Sequence, residues 1–305
     1  MITFFSTPKP FRGRIGIIQR NAIHSWKLVH PDVEVILFGN EEGAAEVARE
    51  LGLRHAPEVE CNDHGTPLLP SILDRAQRFA RHPLVCFINC DIILLEDFRA
   101  AVQRLASTEG SFLMAGQRWD TDIAAPVDFS TPRWEENLRR LALETNRQRP
   151  PQWIDYFVFT RGLYLGKTPP IVIGRPGIDN WLLWSARHAG AKVVDASHVV
   201  VAVHQNHDYS HHPQGEEGVS EGDEAKHNRQ FVKGWRFATL ENATHRLTAT
   251  GIHRNYRHWL ILCSRAFGVA RSAIWFGLLD LTRPVRHHLG LRQGRNEEGR
   301  IAPRP

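Results

Sequence analysis

Two polar residues follow an apolar run near the middle of the chain. The run LVCFIN ends at Asn89, and Asp91 comes two residues later. Such a run is typical of a buried strand, so both side chains are expected where the strand ends. A carboxylate there can anchor Mg²⁺ or Mn²⁺, which take oxygen ligands and keep positions open for phosphates and water. For a nucleotide diphosphate substrate, this pattern predicts that Asp91 binds the metal while Asn89 hydrogen-bonds a ribose hydroxyl or orients Asp91; the alternative is an ordinary polar strand end.

Two histidines follow a second apolar run later in the chain. The segment VVVAVHQNHDYSH places His204 at the end of a predicted strand and His207 three residues beyond it. A borderline cation such as Mn²⁺ accepts imidazole beside carboxylate. We therefore predict that His204 and His207 join Asp91 as metal ligands, whereas His211 and His212 are interpreted as part of a solvated loop.

A third candidate is a carboxylate that follows a glycine-containing turn. In GRPGIDNWLL, the turn at 174–177 precedes a predicted helix whose first residues include Asp179 and Asn180. Asp179 could be only the N-cap of this helix. It is also placed to act as acid or base, because the helix is rigid and the glycines let a substrate approach. We predict Asp179 as the catalytic carboxylate and Asn180 as a contact to the sugar or the acceptor.

Polar side chains around two further predicted strands extend the candidate site. The segment GQRWDTD presents Arg118, Trp119 and Asp120. This set suits a sugar, because Trp offers a stacking face and Asp accepts hydroxyl protons. Asp155 stands at the start of the buried run YFVFT, where a charge should be paired. It is the second catalytic candidate.

Three basic side chains could reach a phosphate. Arg75 lies on the predicted helix before the Asp91 strand, and Lys9 and Arg12 lie in the first loop. A salt bridge on the surface is the commoner environment of an Arg, so both alternatives remain open for these residues.

The elements that must position these residues form an alternating series. Strands that alternate with helices at short spacing predict a parallel sheet with helices on both sides. In such sheets ligands lie beyond the carboxyl ends of the strands, which is where Asn89 and Asp91 are expected. The segment 208–234 is rich in His, Gly, Glu and Ser and is predicted to be a long mobile loop or lid. The predicted strands are MITFFST, VEVILFG, RHAP, LVCFIN, WIDYFVFTRGLY and one or two in KVVDASHVVVAVHQN, and SFLMAGQRWD is predicted to be a strand followed by a loop. The predicted helices are 15–29, EEGAAEVARELG closed by Gly52, LLPSILDRAQRFAR, DFRAAVQRLA, WEENLRRLALETNRQ and DNWLLWSARHAG closed by Gly190.

Length and composition indicate a globular protein. Its 305 residues, 42% hydrophobic and 23% charged, fit one large α/β domain with an appendage. The four cysteines form no CxxC pair and the first residues do not resemble a signal peptide, so a cytoplasmic location is predicted. The net charge of +5 combines +7 in residues 252–305 with −2 in residues 1–251. The main domain therefore lacks the basic face that nucleic-acid binding requires.

The segment 251–292 is predicted to be a basic amphipathic helix. Arginines interrupt its apolar run, which argues against a membrane-spanning helix. Two alternatives remain open: the helix lies in a membrane interface, peripheral on the inner face, or it packs against the domain or a dimer partner. Residues 293–305 are predicted to be a disordered tail.

Eight motifs together resemble one family. Over residues 1 to about 250, the chain is similar to the nucleotide-diphospho-sugar transferases of bacteria and plants, which are glycosyltransferases of the GT-A fold. The resemblance implies a GT-A domain at 1–250 with a Rossmann-like, mixed and mostly parallel sheet, and a DxD motif after the fourth strand. Here that motif reads Asn89-Cys90-Asp91, so its first Asp is replaced by Asn. The motifs are ITFFSTPKPF, VEVILFGNEEGAAEVARELGL, GTPLLPSILDRAQ, FINCDIILLEDF, GQRWD, IDYFVFTRGLY, GRPGIDNWLL and AVHQNHDYSH.

The same resemblance implies cofactor, partners and site residues. It implies a UDP- or GDP-sugar donor, a glycan or lipid acceptor, and Mn²⁺ or Mg²⁺. The last Asp of the motif, Asp91, would contact the metal, His204 or His207 would be the late metal-binding His, and Asp179 would be the acid of the catalytic region. The residues that would flank the nucleoside are Thr7, Pro8, Gly39 and Asn40.

The sequence therefore predicts a metal-dependent glycosyltransferase. A nucleotidyltransferase is the first alternative, but a basic Gly-rich loop would be expected after the first strand, and STPKPFRGR contains only Gly13. A non-catalytic module that binds sugar or a lipid surface is the second alternative. The donor sugar, its base, the acceptor and the stereochemistry stay open.

Overall fold

The computed structural model describes residues 1–208 and 214–256, which form two β-sheets and eight α-helices. The strands are β1 Ile2–Ser6, β2 Val33–Phe38, β3 Arg54–Ala56, β4 Leu84–Ile88, β5 Ile92–Ile93, β6 Phe112–Ala115, β7 Arg118–Thr121, β8 Tyr156–Thr160, β9 Lys192–Asp195, β10 Ala202–Gln205, β11 His245–Thr248 and β12 Gly251–Arg254. The helices are α1 Gly13–Leu28, α2 Ala44–Leu51, α3 Leu69–Phe79, α4 Glu96–Ala106, α5 Trp134–Glu144, α6 Ile178–His188, α7 Gly215–Glu221 and α8 Asp223–Arg229.

The larger sheet has nine strands in the order β12-β11-β9-β6-β8-β4-β1-β2-β3. Strands β3, β2, β1 and β4 run parallel, which is the 3-2-1-4 order of a Rossmann-like half. Strand β8 runs antiparallel to both β4 and β6, and β12 runs antiparallel to β11. The structure confirms the predicted α/β class with a mixed, mostly parallel sheet.

Both faces of the central strands are covered, which explains their continuous apolar runs. All five residues of β1 and all five of β4 are buried. Successive side chains point to opposite faces, so Phe4 packs with Trp26 and Phe98 on one side, while Phe5 packs with Phe159 on the other. Gly52 ends α2 in the left-handed conformation, with φ of 65°, as its position after AAEVAREL predicted.

A small second sheet joins β5, β10 and β7. Strand β10 runs parallel to β7 and antiparallel to β5, in a register that places His204 beside both Asp120 and Ile92. Because Ile92 directly follows Asp91, this sheet brings residues from two distant segments to the end of β4. A separate apolar cluster supports it, formed by Ile93, Leu95, Ile123, Leu138, Ala142 and Val203.

The prediction of a loop at 208–234 is wrong for residues 214–234, because this part of the chain contains α7 and α8. Asn228 of α8 is fully buried and exchanges two hydrogen bonds of 2.8 Å with the backbone of Val172. The polar composition concealed these helices because they are anchored by one buried amide and by Ala225 instead of an apolar stripe. Residues 209–213 of the predicted loop lie outside the described residues.

Strand β12 at Gly251–Arg254 is the last strand that the structure describes. It occupies the first residues of the segment 251–292 that was predicted to be helical. The rest of that segment beyond Tyr256, and the tail at 293–305, lie outside the described residues, so the domain division stays a prediction. Within residues 1–208 and 214–256, no helix combines the length and the apolar composition needed to cross a membrane.

Candidate functional site

Asp91 and two histidines converge beyond the carboxyl end of β4. His207 Nε2 lies 3.1 Å from Asp91 Oδ2, and His204 Nε2 lies 3.7 Å from the same oxygen. One ligand atom from each residue lies within 4.8 Å of the other two. The backbone fixes this arrangement, since Gln205 N–H donates to the Asp91 carbonyl at 3.0 Å. The structure thus brings together the three residues that the sequence predicted as metal ligands.

The donor set fits a divalent cation. Asp91 Oδ1 is buried and has no hydrogen-bond partner among the described residues, which leaves an acceptor for a ligand outside the protein. Burial opposes ionisation of Asp91, but the charges of His204, His207 and Lys9 and a hydrogen bond from His207 hold its pKa below the usual range. One carboxylate with two imidazoles is a ligand combination that Mn²⁺ accepts.

A network of buried charges adjoins the three residues. Asn89 Nδ2 donates to Asp155 Oδ1 at 2.6 Å, and Arg118 Nη1 donates to Asp155 Oδ2 at 2.7 Å. Arg118 Nε also donates to Asp120 Oδ1 at 3.0 Å. The charge of Asp155 is therefore paired, as its buried position required. Both oxygens of Asp155 are engaged, and Asn89 contacts Asp155 rather than the Asp91 side chain.

Asp179 lies in the first turn of α6, next to this network. Burial raises the pKa of Asp179 to about 7, and the negative charge of Asp155 adds to the shift. Hydrogen bonds from the backbone N–H groups of Asp179 and Asn180, together with the charge of Arg118, offset part of it. A carboxyl group with this pKa can exchange protons near neutral pH. The neighbouring Asn180 side chain is buried and donates to the Ala238 carbonyl at 2.9 Å.

Lys9 is the basic side chain of the first loop that lies near Asp91. The buried Gln19 holds its backbone, accepting from Lys9 N–H at 2.6 Å and donating to the Lys9 carbonyl at 2.8 Å. Burial lowers the pKa of Lys9, and the negative charge of Asp91 opposes that shift. Across the described residues, the ammonium group has no hydrogen bond or ion pair, so it can bind an anion that enters the site.

The other two basic candidates have protein partners. Arg12 pairs with Glu42 on the surface. Arg75 donates to the carbonyl of Glu58 and lies 5.4 Å from the ring centroid of Phe79. Arg12 thus forms a surface salt bridge, which was the alternative to a phosphate contact. A phosphate contact by Arg75 stays a proposal.

The predicted nucleoside-flanking residues lie after β1 and β2. Thr7 and Gly39 are neighbours, because a Cβ on Gly39 would stand 3.7 Å from Thr7 Cγ2. Gly39 has φ of 97°, a conformation that favours glycine, and Asn40 follows it. The hydroxyl Oγ1 of Thr7 is buried without a hydrogen-bond partner within the described part of the chain. Pro8 is buried beside it. Their role in binding a nucleoside stays a prediction.

Trp119 is placed apart from the charged network. Strand β7 alternates its side chains, so Arg118 and Asp120 face the network while Trp119 packs against the apolar cluster that contains Leu138 and Val203. The structure therefore does not bring Trp119 to Asp91 and the two histidines.

Two residues of the site were missed by sequence reasoning. Arg149 Nε lies 2.7 Å from Asp120 Oδ2, and its guanidinium lies 4.3 Å from the ring centroid of Trp153. Gln205 is fully buried and its amide nitrogen donates to the Ile18 carbonyl at 2.9 Å. Gln205 could have been found, because a polar Gln directly after His204 in a buried strand indicates a buried hydrogen bond. The segment RQRPPQW contains no pattern that would indicate a role for Arg149.

Comparisons with known proteins give distant likenesses. No family model matches the chain, and no curated protein matches it. The chain is similar to glucosyl-3-phosphoglycerate synthase from Mycobacterium tuberculosis at 14% identity and a TM-score of 0.44, over 84% of this chain and 87% of that chain. The complex of that enzyme with Mn²⁺, UDP and glucosyl-3-phosphoglycerate gives 15% identity, the same TM-score of 0.44, and coverages of 84% and 87%. For S. aureus TarS the identity is 11% and the TM-score 0.31, over 39% of this chain and 36% of that chain.

Proposed function

We propose that this protein is a metal-dependent glycosyltransferase that moves a sugar from a nucleotide-diphosphate sugar to a glycan, lipid or small-molecule acceptor. The observation that carries the proposal is the convergence of Asp91, His204 and His207 beyond the end of β4, where one buried oxygen of Asp91 has no hydrogen-bond partner among the described residues. The donor is a UDP- or GDP-sugar.

Asp91, His204 and His207 would hold Mn²⁺ or Mg²⁺. When bound, the cation neutralises the negative charge that develops on the leaving diphosphate. Lys9 adds a positive charge at the same place, since its ammonium lies in the field of Asp91 and has no counter-ion among the described residues. Thr7, Pro8, Gly39 and Asn40 are proposed to flank the nucleoside, because they follow β1, which pairs with β4, and β2, which pairs with β1.

Asp179 is proposed to handle the proton of the acceptor hydroxyl. Its pKa of about 7 makes it basic enough to accept that proton if the reaction inverts the anomeric carbon. If the reaction retains configuration, the same carboxylate stabilises positive charge near that carbon. Asp155 is the weaker candidate, because Asn89 and Arg118 already occupy its two oxygens. It is proposed to hold Arg118 and to raise the pKa of Asp179.

The test needs no knowledge of the acceptor. Melting temperature is measured with UDP and GDP, each with and without Mn²⁺, for the wild-type protein, Asp91→Ala and Asp128→Ala. Asp128 is an exposed carboxylate that caps its own turn through Ser130, so its variant is the matched control. We expect stabilisation by a nucleoside diphosphate that requires Mn²⁺, survives in Asp128→Ala and is lost in Asp91→Ala. Equal stabilisation without Mn²⁺, or in Asp91→Ala, would contradict the proposal.

A second measurement addresses the reaction. Hydrolysis or transfer of several nucleotide sugars is followed with Mn²⁺ in the same three proteins. Turnover in Asp91→Ala equal to that of the wild type would refute the role of Asp91.

A further inference from the structure

His204 lies between two carboxylates. Its Nε2 is 3.7 Å from Asp91 Oδ2, and its Nδ1 is 3.2 Å from Asp120 Oδ1. The backbone imposes this geometry, because β7 and β10 run parallel in a register that pairs Asp120 with His204. Partners in register on neighbouring strands project from the same face of a sheet. The ring is therefore oriented by one carboxylate on each side.

Asp120 is itself held in place by two arginines. Arg118 Nε donates to its Oδ1 at 3.0 Å, and Arg149 Nε lies 2.7 Å from its Oδ2. The two guanidinium groups lie 5.1 Å and 4.3 Å from the ring centroid of Trp153, which limits their movement. The carboxylate that faces His204 Nδ1 is thus charged, nearly buried and fixed.

A neutral imidazole carries one N–H, and a carboxylate beside one ring nitrogen favours the proton on that nitrogen. Asp120 is the nearer carboxylate, at 3.2 Å from Nδ1, whereas Asp91 lies 3.7 Å from Nε2. The proton of neutral His204 is therefore expected on Nδ1, toward Asp120, with the lone pair of Nε2 toward Asp91. The Nδ1 contact is within hydrogen-bond distance but is not aligned as a straight hydrogen bond. Metal-binding histidines commonly donate their second N–H to a carboxylate in this manner, which fixes the tautomer and the ring orientation.

We propose that Asp120 is a positioning residue that keeps His204 in the Nδ1–H tautomer, with Nε2 turned toward a divalent cation shared with Asp91 and His207. This inference rests on the proposed function, and it gives Asp120 a place behind the metal ligands instead of a direct contact to the sugar. The competing explanation is that Asp120 only neutralises the buried charges of Arg118 and Arg149.

The first test reads the tautomer without any metal. The ring nitrogens of ¹⁵N-labelled histidine are observed by NMR in the metal-free protein at alkaline pH, and His204→Gln identifies the signals of His204 by their loss. We expect the Nδ1–H tautomer in the wild-type protein and a shift toward Nε2–H in Asp120→Ala. An Nε2–H tautomer in the wild type, or the same tautomer in both proteins, would overturn the inference.

The second test measures Mn²⁺ affinity by electron paramagnetic resonance of the free ion. Asp120→Asn keeps the shape of the side chain but removes its charge, and we expect Mn²⁺ binding to weaken about 10- to 100-fold. Glu34→Gln is the matched control, because it also removes a buried carboxylate that pairs with an Arg, at the opposite end of the strands. We expect that control to bind Mn²⁺ like the wild type.

The outcomes separate this inference from the proposed function. Unchanged Mn²⁺ affinity in a folded Asp120→Asn protein would leave the metal site standing and remove Asp120 from it. Absence of Mn²⁺ binding in the wild type would instead contradict the metal site, and the tautomer measurement would still decide whether Asp120 orients His204. If Asp120→Asn or Asp120→Ala does not fold, the tautomer of the wild-type protein decides the question.

Discussion

Glu34 and Asp91 are two carboxylates removed from water at opposite ends of the central strands. Glu34 lies near the amino end of β2, with a side chain 8% exposed, and Asp91 follows the carboxyl end of β4, with a side chain 16% exposed. Glu34 Oε2 accepts from the Thr3 hydroxyl at 2.7 Å and from the Arg81 backbone N–H at 2.8 Å, while its Oε1 lies 3.5 Å from Arg81 Nε.

Asp91 has different surroundings although its burial is similar. Its Oδ1 has no hydrogen-bond partner among the described residues, and its Oδ2 faces two imidazoles. A buried carboxylate that is satisfied by local donors contributes to the fold, whereas one that keeps a free oxygen next to histidines is prepared for a ligand. Partners, more than burial, therefore distinguish the two ends of the sheet.

Removing the Asp91 carboxylate should have the largest effect. In Asp91→Ala the cation loses its only charged ligand among the three residues, and the leaving diphosphate loses its counter-charge. We expect sugar transfer or hydrolysis to fall about 10³-fold, because electrostatic stabilisation of this kind is worth several kcal/mol. Initial rates with saturating Mn²⁺ measure the effect. A fall of the same size in Glu34→Gln would erase the contrast between the two carboxylates.

The pH dependence of the reaction should follow Asp179. With a pKa of about 7, Asp179 is protonated below neutral pH and charged above it. As a base for an inverting reaction it must be charged, so kcat/KM should rise with pH and level off above about 7.

Asp179→Asn sharpens this prediction. The variant should lose about 10²-fold in kcat and should no longer show the rise near neutral pH. Because the folded-state pKa is raised, ionisation of Asp179 reduces stability as pH rises toward 7, so Asp179→Asn should melt higher than the wild type at pH 8. A wild-type pH profile that survives in Asp179→Asn would assign the base to another residue.

Replacing Lys9 should weaken binding of the diphosphate specifically. Lys9→Met keeps an unbranched side chain one atom shorter and removes its charge, so the Kd for a nucleoside diphosphate should rise about tenfold, as expected for one hydrogen bond to a charged group. Binding of the nucleoside without phosphates should not change. Calorimetry measures both, and Lys9→Arg should restore part of the affinity. Equal losses for nucleoside and diphosphate would indicate a disturbed loop.

Glu34→Gln should have the smallest effect, and only on stability. The change weakens the bonds from Thr3 and Arg81 within a buried site, so unfolding should become easier by about 1 to 2 kcal/mol. Urea unfolding measures this loss. Mn²⁺ affinity and turnover should stay at the wild-type level, since Glu34 lies at the other end of the strands. Reduced Mn²⁺ affinity in this variant would show that the two ends are not independent.

The positions of the metal-site residues could be predicted because each follows an apolar run. Asp91 comes after LVCFIN and His204 after VVVAV, and the alternation of strands with helices puts such strand ends on the ligand side of the sheet. Asp179 was found through the turn at 174–177 that precedes α6. These signals are local, so a single sequence contains them.

Contacts between distant segments could not be predicted. The reversed direction of β8, the pairing of β10 with β7, and the use of Asn89 by Asp155 all depend on which segments meet after folding. Trp119 illustrates the consequence. Treated as a loop residue it could face a sugar, but in strand β7 the period of two turns it away from Arg118 and Asp120.

Anomalous diffraction from crystals soaked in Mn²⁺ tests the central claim most directly. We predict one strong peak bonded to Asp91 and to His204, His207 or both, at about 2.0 to 2.3 Å from the ligand atoms. The same soak of Asp91→Asn crystals should show no peak there. A peak elsewhere on the protein, or an equal peak in the variant, would contradict the account.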